Sequence, residues 1–208
     1  MAQERGWLLL TNDDGIDAVG LETLVKALHD EGYPVAVLAP SGNHSATGMR
    51  INLMKPMAYR PRDDLVERWG LNPHTTPVHL FELDGTPCDT MIVALDGGLN
   101  HLVPGVHPQM VVSGVNLGPN LSQDSYHSGT MGAAREAGLY GVPAIAASFT
   151  SFDPVGMERA VEATLDIVAA AAAVLPVKAG NLARPKGALE TTYFTTWPNP
   201  SALSLIHI

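Results

Sequence analysis

The run Trp7-Leu-Leu-Leu10 leads straight into Thr11-Asn-Asp-Asp-Gly15, and Leu21, Leu24, Val25 and Leu28 follow at the spacing of one buried helical face. This order predicts a strand, a tight turn and a helix, the opening unit of a parallel sheet. Successive strand residues point to opposite faces, so Asp13 and Asp14 converge only if the chain has already left the strand there. Both carboxylates then stand at the carboxyl edge of the sheet, where open α/β proteins bind ligands beside helix amino termini. Two uncompensated carboxylates repel a phosphate, whereas a divalent cation held between them reverses the local field and recruits one. Taken alone, the same residues also suit a helix cap with a solvated neighbour, because Asp favours caps and turns.

Gly32 is a stop signal for that helix, and Pro34-Val-Ala-Val-Leu-Ala-Pro40 is the short apolar run of a buried parallel strand. Two βα steps by residue 40 point to a doubly wound sheet. Ser41-Gly-Asn-His-Ser-Ala-Thr-Gly48 then breaks the periodicity on the edge that carries Asp13 and Asp14. Its polar groups are available to a site, although loops of this composition are commonly only loops. Between residues 50 and 84, Ile51-Asn-Leu-Met54 and Val78-His-Leu-Phe-Glu-Leu83 flank a charged stretch from Pro61 to Arg68. They predict an antiparallel excursion beside the main sheet. Thr86-Pro87 has the form of an N-cap followed by proline at the first helical position. Cys88, Met91, Ile92 and Leu95 supply that helix's buried stripe, and Gly97-Gly98 closes it.

Gln109-Met-Val-Val-Ser113 predicts the next strand, opening into Ser113-Gly-Val-Asn-Leu-Gly-Pro-Asn-Leu121. Gly114 and Gly118 permit close turns there that bring Asn116 and Asn120 towards one spot. Ser128 or Thr130 caps a helix running through Ala134 towards Gly138. A glycine among hydroxylated residues at a helix start leaves N–H groups for an oxyanion, though an ordinary cap has the same composition. Val142-Pro-Ala-Ile-Ala-Ala-Ser148 predicts one more core strand, and Asp153-Pro154 begins a long Ala-rich helix that Pro176 ends.

The 208 residues, 46% of them hydrophobic, suffice for one buried core. Twelve basic against 21 acidic residues leave a formal charge of −9, which argues against a nucleic-acid polymer as partner. Cys88 is the lone cysteine, so neither an internal disulfide nor a thiolate metal cage is available. The longest apolar run, residues 167–177, contains Pro176 and falls short of the roughly 20 residues of a membrane span. The amino terminus carries charges without an apolar signal region, so a cytoplasmic protein is expected. Residues 203–208, Leu-Ser-Leu-Ile-His-Ile, lack a partner element and match the translation of a common sequencing-library adaptor. They are expected to be a non-native tail on a single domain of residues 1–202.

Oxygen donors thus gather on three predicted edge loops: Asp13 with Asp14, the Asn43-to-Ser45 region, and Asn116. Such a hard set suits Mg²⁺ or Mn²⁺ better than Zn²⁺. The eight histidines are scattered singly, and although His44 and His127 lie in candidate loops, neither is expected as a metal ligand.

Five blocks resemble the stationary-phase survival protein E (SurE) family of metal-dependent nucleotidases. They are Leu9-Leu-Thr-Asn-Asp-Asp-Gly-Ile16, Ala39-Pro40 with His44-Ser-Ala-Thr-Gly48, Gly85-Thr-Pro-Cys-Asp89, Val112-Ser-Gly-Val-Asn-Leu-Gly-Pro-Asn-Leu121 and His127-Ser-Gly-Thr130. Their order and spacing cover roughly residues 7 to 150. The resemblance implies a Rossmann-like α/β three-layer sandwich with a mostly parallel sheet and a small antiparallel excursion. It implies hydrolysis of nucleoside 5′- or 3′-monophosphates, one divalent ion per subunit, a homodimer or homotetramer in the full-length form, and a carboxyl-terminal arm that the domain of residues 1–202 is expected to lack. Carried over by position, Asp13, Asp14, Ser45 and Asn116 fall on the metal ligands, with Asp13 and Asp14 also catalytic. Asn12, Asn43, Asn120 and the Ser128-Gly129-Thr130 turn fall on the substrate side, with Gly114 shaping the floor. Asp13 is assigned to orient or deprotonate the nucleophile, and a direct nucleophilic role stays open. Asp17-Ala-Val stands where many relatives have His-x-Pro, and Ser41 replaces a commoner acidic residue. These departures bear on substrate preference more than on metal binding.

Competing readings fare worse. A dinucleotide-binding turn wants Gly-x-Gly-x-x-Gly, which Gly15 and Gly20 do not form. A haloacid-dehalogenase-type phosphatase begins with Asp-x-Asp, unlike the adjacent pair here. The alternative from another class is a non-catalytic nucleotide- or metal-binding fragment.

Overall fold

The computed structural model describes residues 5–175, 192–197 and 204–207. In chain order the elements are β1 (Trp7–Thr11), α1 (Val19–Asp30), β2 (Val35–Pro40), β3 (Tyr59–Pro61), α2 (Asp63–Arg68), β4 (Val78–Leu83) and α3 (Pro87–Val93). They continue as α4 (Leu99–Leu102), β5 (Pro108–Leu117), α5 (Asp124–His127), α6 (Gly129–Leu139), β6 (Ala144–Phe149), α7 (Met157–Val174), β7 (Thr192–Trp197) and β8 (Ser204–His207). The strands form one sheet in the order β3-β4-β2-β1-β5-β6-β7-β8. From β4 to β7 every pairing is parallel, and β3 and β8 add antiparallel edges. The arrangement is the expected Rossmann-like α/β sandwich.

Strand alternation divides the core into two layers. Leu8 and Leu10 point towards α1, α2 and α7, with Leu24, Leu28, Leu65, Met157 and Val161. Leu9 points the other way, towards α3 and α6, with Met91, Met131 and Ala134. All three leucines are fully buried, and each such side chain contributes about 1.5–3 kcal/mol. Helix α1 buries Leu21, Leu24, Val25 and Leu28 as the periodicity requires. It stops where Gly32, at φ +79°, donates its N–H to the His29 carbonyl. Gly20 in its first turn lets α1 rest directly on β5, since a Cβ there would stand 1.9 Å from the Val115 carbonyl oxygen. Thr86 caps α3 in a full capping box with Asp89, and Pro87 follows it.

Several expectations need correcting. The antiparallel excursion is present but confined to the three-residue β3; its partner Val78–Leu83 also pairs in parallel with β2 and so belongs to the main sheet. Ile51–Met54 forms no strand, because its backbone is tied to α3 instead. Gly97-Gly98 kinks rather than ends the helical path, which resumes as α4, and Ile92 and Leu95 are only half-buried beside the fully enclosed Cys88 and Met91. Strand β5 runs four residues past Ser113, its register with β6 shifting between Ser113 and Asn116. Asn116 therefore sits on a strand opposite Ser148, not in a loop. The segment expected to lack a partner contains β8, which pairs with β7 because the last parallel strand presents an open row of backbone donors and acceptors. The expected stop at Pro176 lies outside the described residues. Among the described residues, no helix is long and apolar enough to cross a membrane.

Candidate active site

The strand order reverses between β1 and β5, so the chain leaves these neighbours in opposite directions and opens a crevice at their carboxyl ends. The Asn12–Gly15 turn sits there. Asn12 is fully buried and braces the turn itself, its amide donating to the Gly15 carbonyl and its oxygen accepting the Gly15 N–H. Gly15 is required on two counts. Its φ is +102°, and a Cβ would lie 3.0 Å from the Gly42 carbonyl carbon in the loop after β2.

Asp13 is 3% exposed and lies against the start of α6. Its Oδ1 accepts the Thr130 hydroxyl at 2.6 Å. Gly129 makes this approach possible, because a Cβ on it would be 2.7 Å from the Asp13 Cβ and 3.0 Å from the Thr47 hydroxyl. Asp14 faces β5 and the loop after β2: its Oδ2 accepts the Leu117 N–H at 3.0 Å and its Oδ1 the Asn43 amide at 3.3 Å. Burial pushes the Asp13 carboxyl up to about 6; the Thr130 hydrogen bond opposes the rise and the Asp14 charge adds to it. Burial raises Asp14 as well, against the Leu117 N–H.

Two further connections, the loop after β2 and the end of β5, reach this pair. Asn43 contacts Asp14 directly and its Oδ1 accepts the Ser45 N–H at 2.9 Å, so Ser45 stands one hydrogen bond behind. His44 donates its N–H to the Asp13 carbonyl at 2.6 Å; burial lowers the basicity of its imidazole. Asn116 precedes the Leu117 amide that holds Asp14, and its own amide donates to the Gly118 carbonyl at 2.9 Å. Asn120 donates to the Ser148 hydroxyl at 2.7 Å, further along β6. Gly114 underlies the site on β5, where a Cβ would stand 2.3 Å from the Ala147 carbonyl oxygen. His127 is exposed, and its carbonyl accepts the Gly48 N–H.

The expected substrate residues are engaged within the protein: Asn12 commits both amide atoms to Gly15, Asn43 bonds Asp14 and Asn120 bonds Ser148. The Ser128 hydroxyl caps α6 by accepting the Met131 N–H, and the Thr130 hydroxyl belongs to Asp13. Sequence reasoning missed Leu117 and Thr47; the first acts through its backbone amide, which leaves no trace in residue type. Asp17, noted as a departure, turns away from the crevice to a bidentate contact with Arg62, with Arg68 as a second partner. Arg62 first, with Arg68 beside it, holds its carboxyl below the usual range.

The donor set fits a hard divalent cation. Among the described residues no cluster of three or more His, Cys, Asp or Glu could hold a metal, so a cation here would rely on a carboxylate pair completed by neutral oxygens. Burial of both carboxylates side by side is costly for the ionised forms and is relieved by a cation.

The chain matches the family described as Survival protein SurE over residues 8–197. Among similar proteins, one from Desulfitobacterium hafniense named 5′-nucleotidase SurE is 39% identical over 155 residues, 74% of this chain and 55% of that one. A protein of the same name from Anaeromyxobacter is 40% identical over 147 residues, 71% of this chain and 50% of that one. The chain spans about half the length of the curated relatives it matches. The crystal structure of the SurE protein from Aquifex aeolicus is similar with a TM-score of 0.70 at 28% identity, over 93% of this chain and 66% of that one.

Proposed function

The chain belongs to the SurE survival-protein family, and from that premise we propose that it is the core of a metal-dependent phosphomonoesterase acting on nucleoside 5′-monophosphates, with 3′ esters as further substrates. The observation that carries this reading is the junction of four separate connections on one carboxylate pair, Asp13 buried and Asp14 half-buried: the turn after β1, Asn43 after β2, the end of β5 and the start of α6.

A divalent cation, Mg²⁺ or Mn²⁺, held by Asp13, Asp14, Ser45 and Asn116 would supply positive charge for the phosphoryl oxygens and lower the pKa of an attacking water. Thr130 fixes one oxygen of Asp13, which leaves the other to orient or deprotonate that water. At the start of α6 the Met131 N–H is taken by Ser128 and the Thr130 N–H by Asp13, so the Gly129 N–H and the α6 dipole are what remain to attract a phosphoryl oxygen. Asn120, steadied by Ser148, presents its remaining amide donor to the same group. Asn43 positions Asp14 in addition to meeting substrate. We further propose that the protein acts in the cytoplasm as a homodimer or homotetramer.

The test is phosphate release from nucleoside monophosphates and from p-nitrophenyl phosphate, with Mn²⁺ or with a chelator. Chelator-sensitive release that Asp14→Asn abolishes is the expected result. Mn²⁺ binding without turnover would instead identify a binding fragment of the enzyme.

A further inference from the structure

The block Gly85-Thr-Pro-Cys-Asp89 directs its side-chain hydrogen bonds to residues other than Asp13 and Asp14, yet its aspartate is 1% exposed. Asp89 Oδ1 accepts the Asn52 N–H at 2.9 Å; Oδ2 accepts the Asn52 amide at 2.6 Å and the Thr86 N–H at 2.8 Å. The Thr86 hydroxyl donates to the Arg50 carbonyl at 2.6 Å. One carboxylate thus caps α3 and grips the loop that follows β2.

A second grip lies on α6. A Cβ on Gly132 would stand 2.2 Å from the Gly48 carbonyl oxygen and 2.9 Å from its carbon, so the Gly48 peptide lies directly on the helix. Gly48 also donates its N–H to the His127 carbonyl at 2.7 Å. Upstream, Thr47 donates its hydroxyl to the His44 carbonyl at 2.7 Å and closes a turn around Ser45, whose other end is pinned to the Asp13 carbonyl. Within that turn Ala46 has φ +59°, a left-handed conformation costing an alanine about 1–2 kcal/mol. Such a turn persists only where its surroundings over-determine it.

We propose that Asp89 and Gly132 are positioning residues, a two-point seat that holds the loop after β2 so that Ser45 and Asn43 stay beside Asp13 and Asp14. The proposal rests on the metal-site reading above. The seat touches neither metal nor substrate; it acts by fixing where the turn at Ser45 lies.

Three variants of the full chain test it, each confirmed as folded by circular dichroism, with Mn²⁺ affinity read by electron paramagnetic resonance of the free ion. In Asp89→Asn the amide must face an N–H donor, either of Asn52 or of Thr86. Asn52→Ala removes the side-chain grip while sparing the cap on α3. Gly132→Ala improves helix propensity but drives the Gly48 peptide away. Supporting residues of metal sites typically change affinity by 10–100-fold, so Asp89→Asn and Gly132→Ala are expected to weaken Mn²⁺ binding by about 10-fold or more, and Asn52→Ala by about 3-fold. A merely structural tether would lower the melting temperature in chelator and leave Mn²⁺ affinity alone. Folded Gly132→Ala and Asn52→Ala variants binding Mn²⁺ within about twofold of the parent would overturn the seat and leave the site reading intact. A parent chain that binds no Mn²⁺ would overturn the site reading, and the seat with it.

Discussion

Asp13→Asn is expected to stabilise the metal-free protein while removing its response to metal. Burial carries the Asp13 carboxyl from 3.8 to about 6, so between those values the folded protein binds a proton that the unfolded chain has released. Stability from this group is complete below about pH 4 and is lost as pH rises through about 6. At about 1.4 kcal/mol per pH unit, the ionised carboxylate costs the fold about 3 kcal/mol at neutral pH. Asparagine carries no charge, and its oxygen can still accept the Thr130 hydroxyl, so most of that cost disappears. In chelator, the advantage of the variant over the parent should therefore grow from near zero at pH 4 to about 2–3 kcal/mol at pH 7.5. For a chain of this size it raises Tm by roughly 4–12 °C. Mn²⁺ at about 100 times its Kd should add about 2.7 kcal/mol to the parent and little to the variant. Thermal melts across pH, with chelator and with Mn²⁺, measure both effects. A variant no more stable than the parent at pH 7.5, or one that Mn²⁺ stabilises equally, would refute the idea of a buried, repelled carboxylate awaiting a cation.

Gly129→Ala would place a methyl 2.7 Å from the Asp13 Cβ; turnover should fall by about 100-fold, as for about 1 Å misplacement of a reacting group, with the fold retained by circular dichroism. Thr130→Val removes the hydroxyl from Asp13 Oδ1 and should cut kcat by about 10-fold or more, whereas Thr130→Ser should restore most of it. Gly20→Ala gains about 1 kcal/mol of helix propensity but meets the Val115 carbonyl oxygen at 1.9 Å, so urea denaturation should show a net loss of about 2 kcal/mol or more. Arg62→Met breaks contacts to Asp17, Asp64 and Glu82; it should destabilise β3 and α2 to proteolysis while changing Mn²⁺ affinity by less than about threefold, since Asp17 points away from the crevice.

What the sequence determined by itself was local. The apolar run into Asn-Asp-Asp-Gly dictates a strand that ends before its carboxylates; the spacing of Leu21, Leu24 and Leu28 dictates α1; Thr86-Pro87 with Asp89 dictates a capped α3. Each follows from backbone sterics, side-chain period or a hydrogen bond within one turn, all of which act over a few residues. The tertiary structure decided what those elements meet. Val78–Leu83 has the same alternation in a hairpin as in a central strand, and only its place beside β2 distinguishes them. Thr130 reaches Asp13 across 117 positions and Asn52 reaches Asp89 across 37, so their hydroxyl and amide read as ordinary caps and loop residues until the sheet has closed. A long-range contact carries no local signature because its energy arises only when burial has removed the competing water.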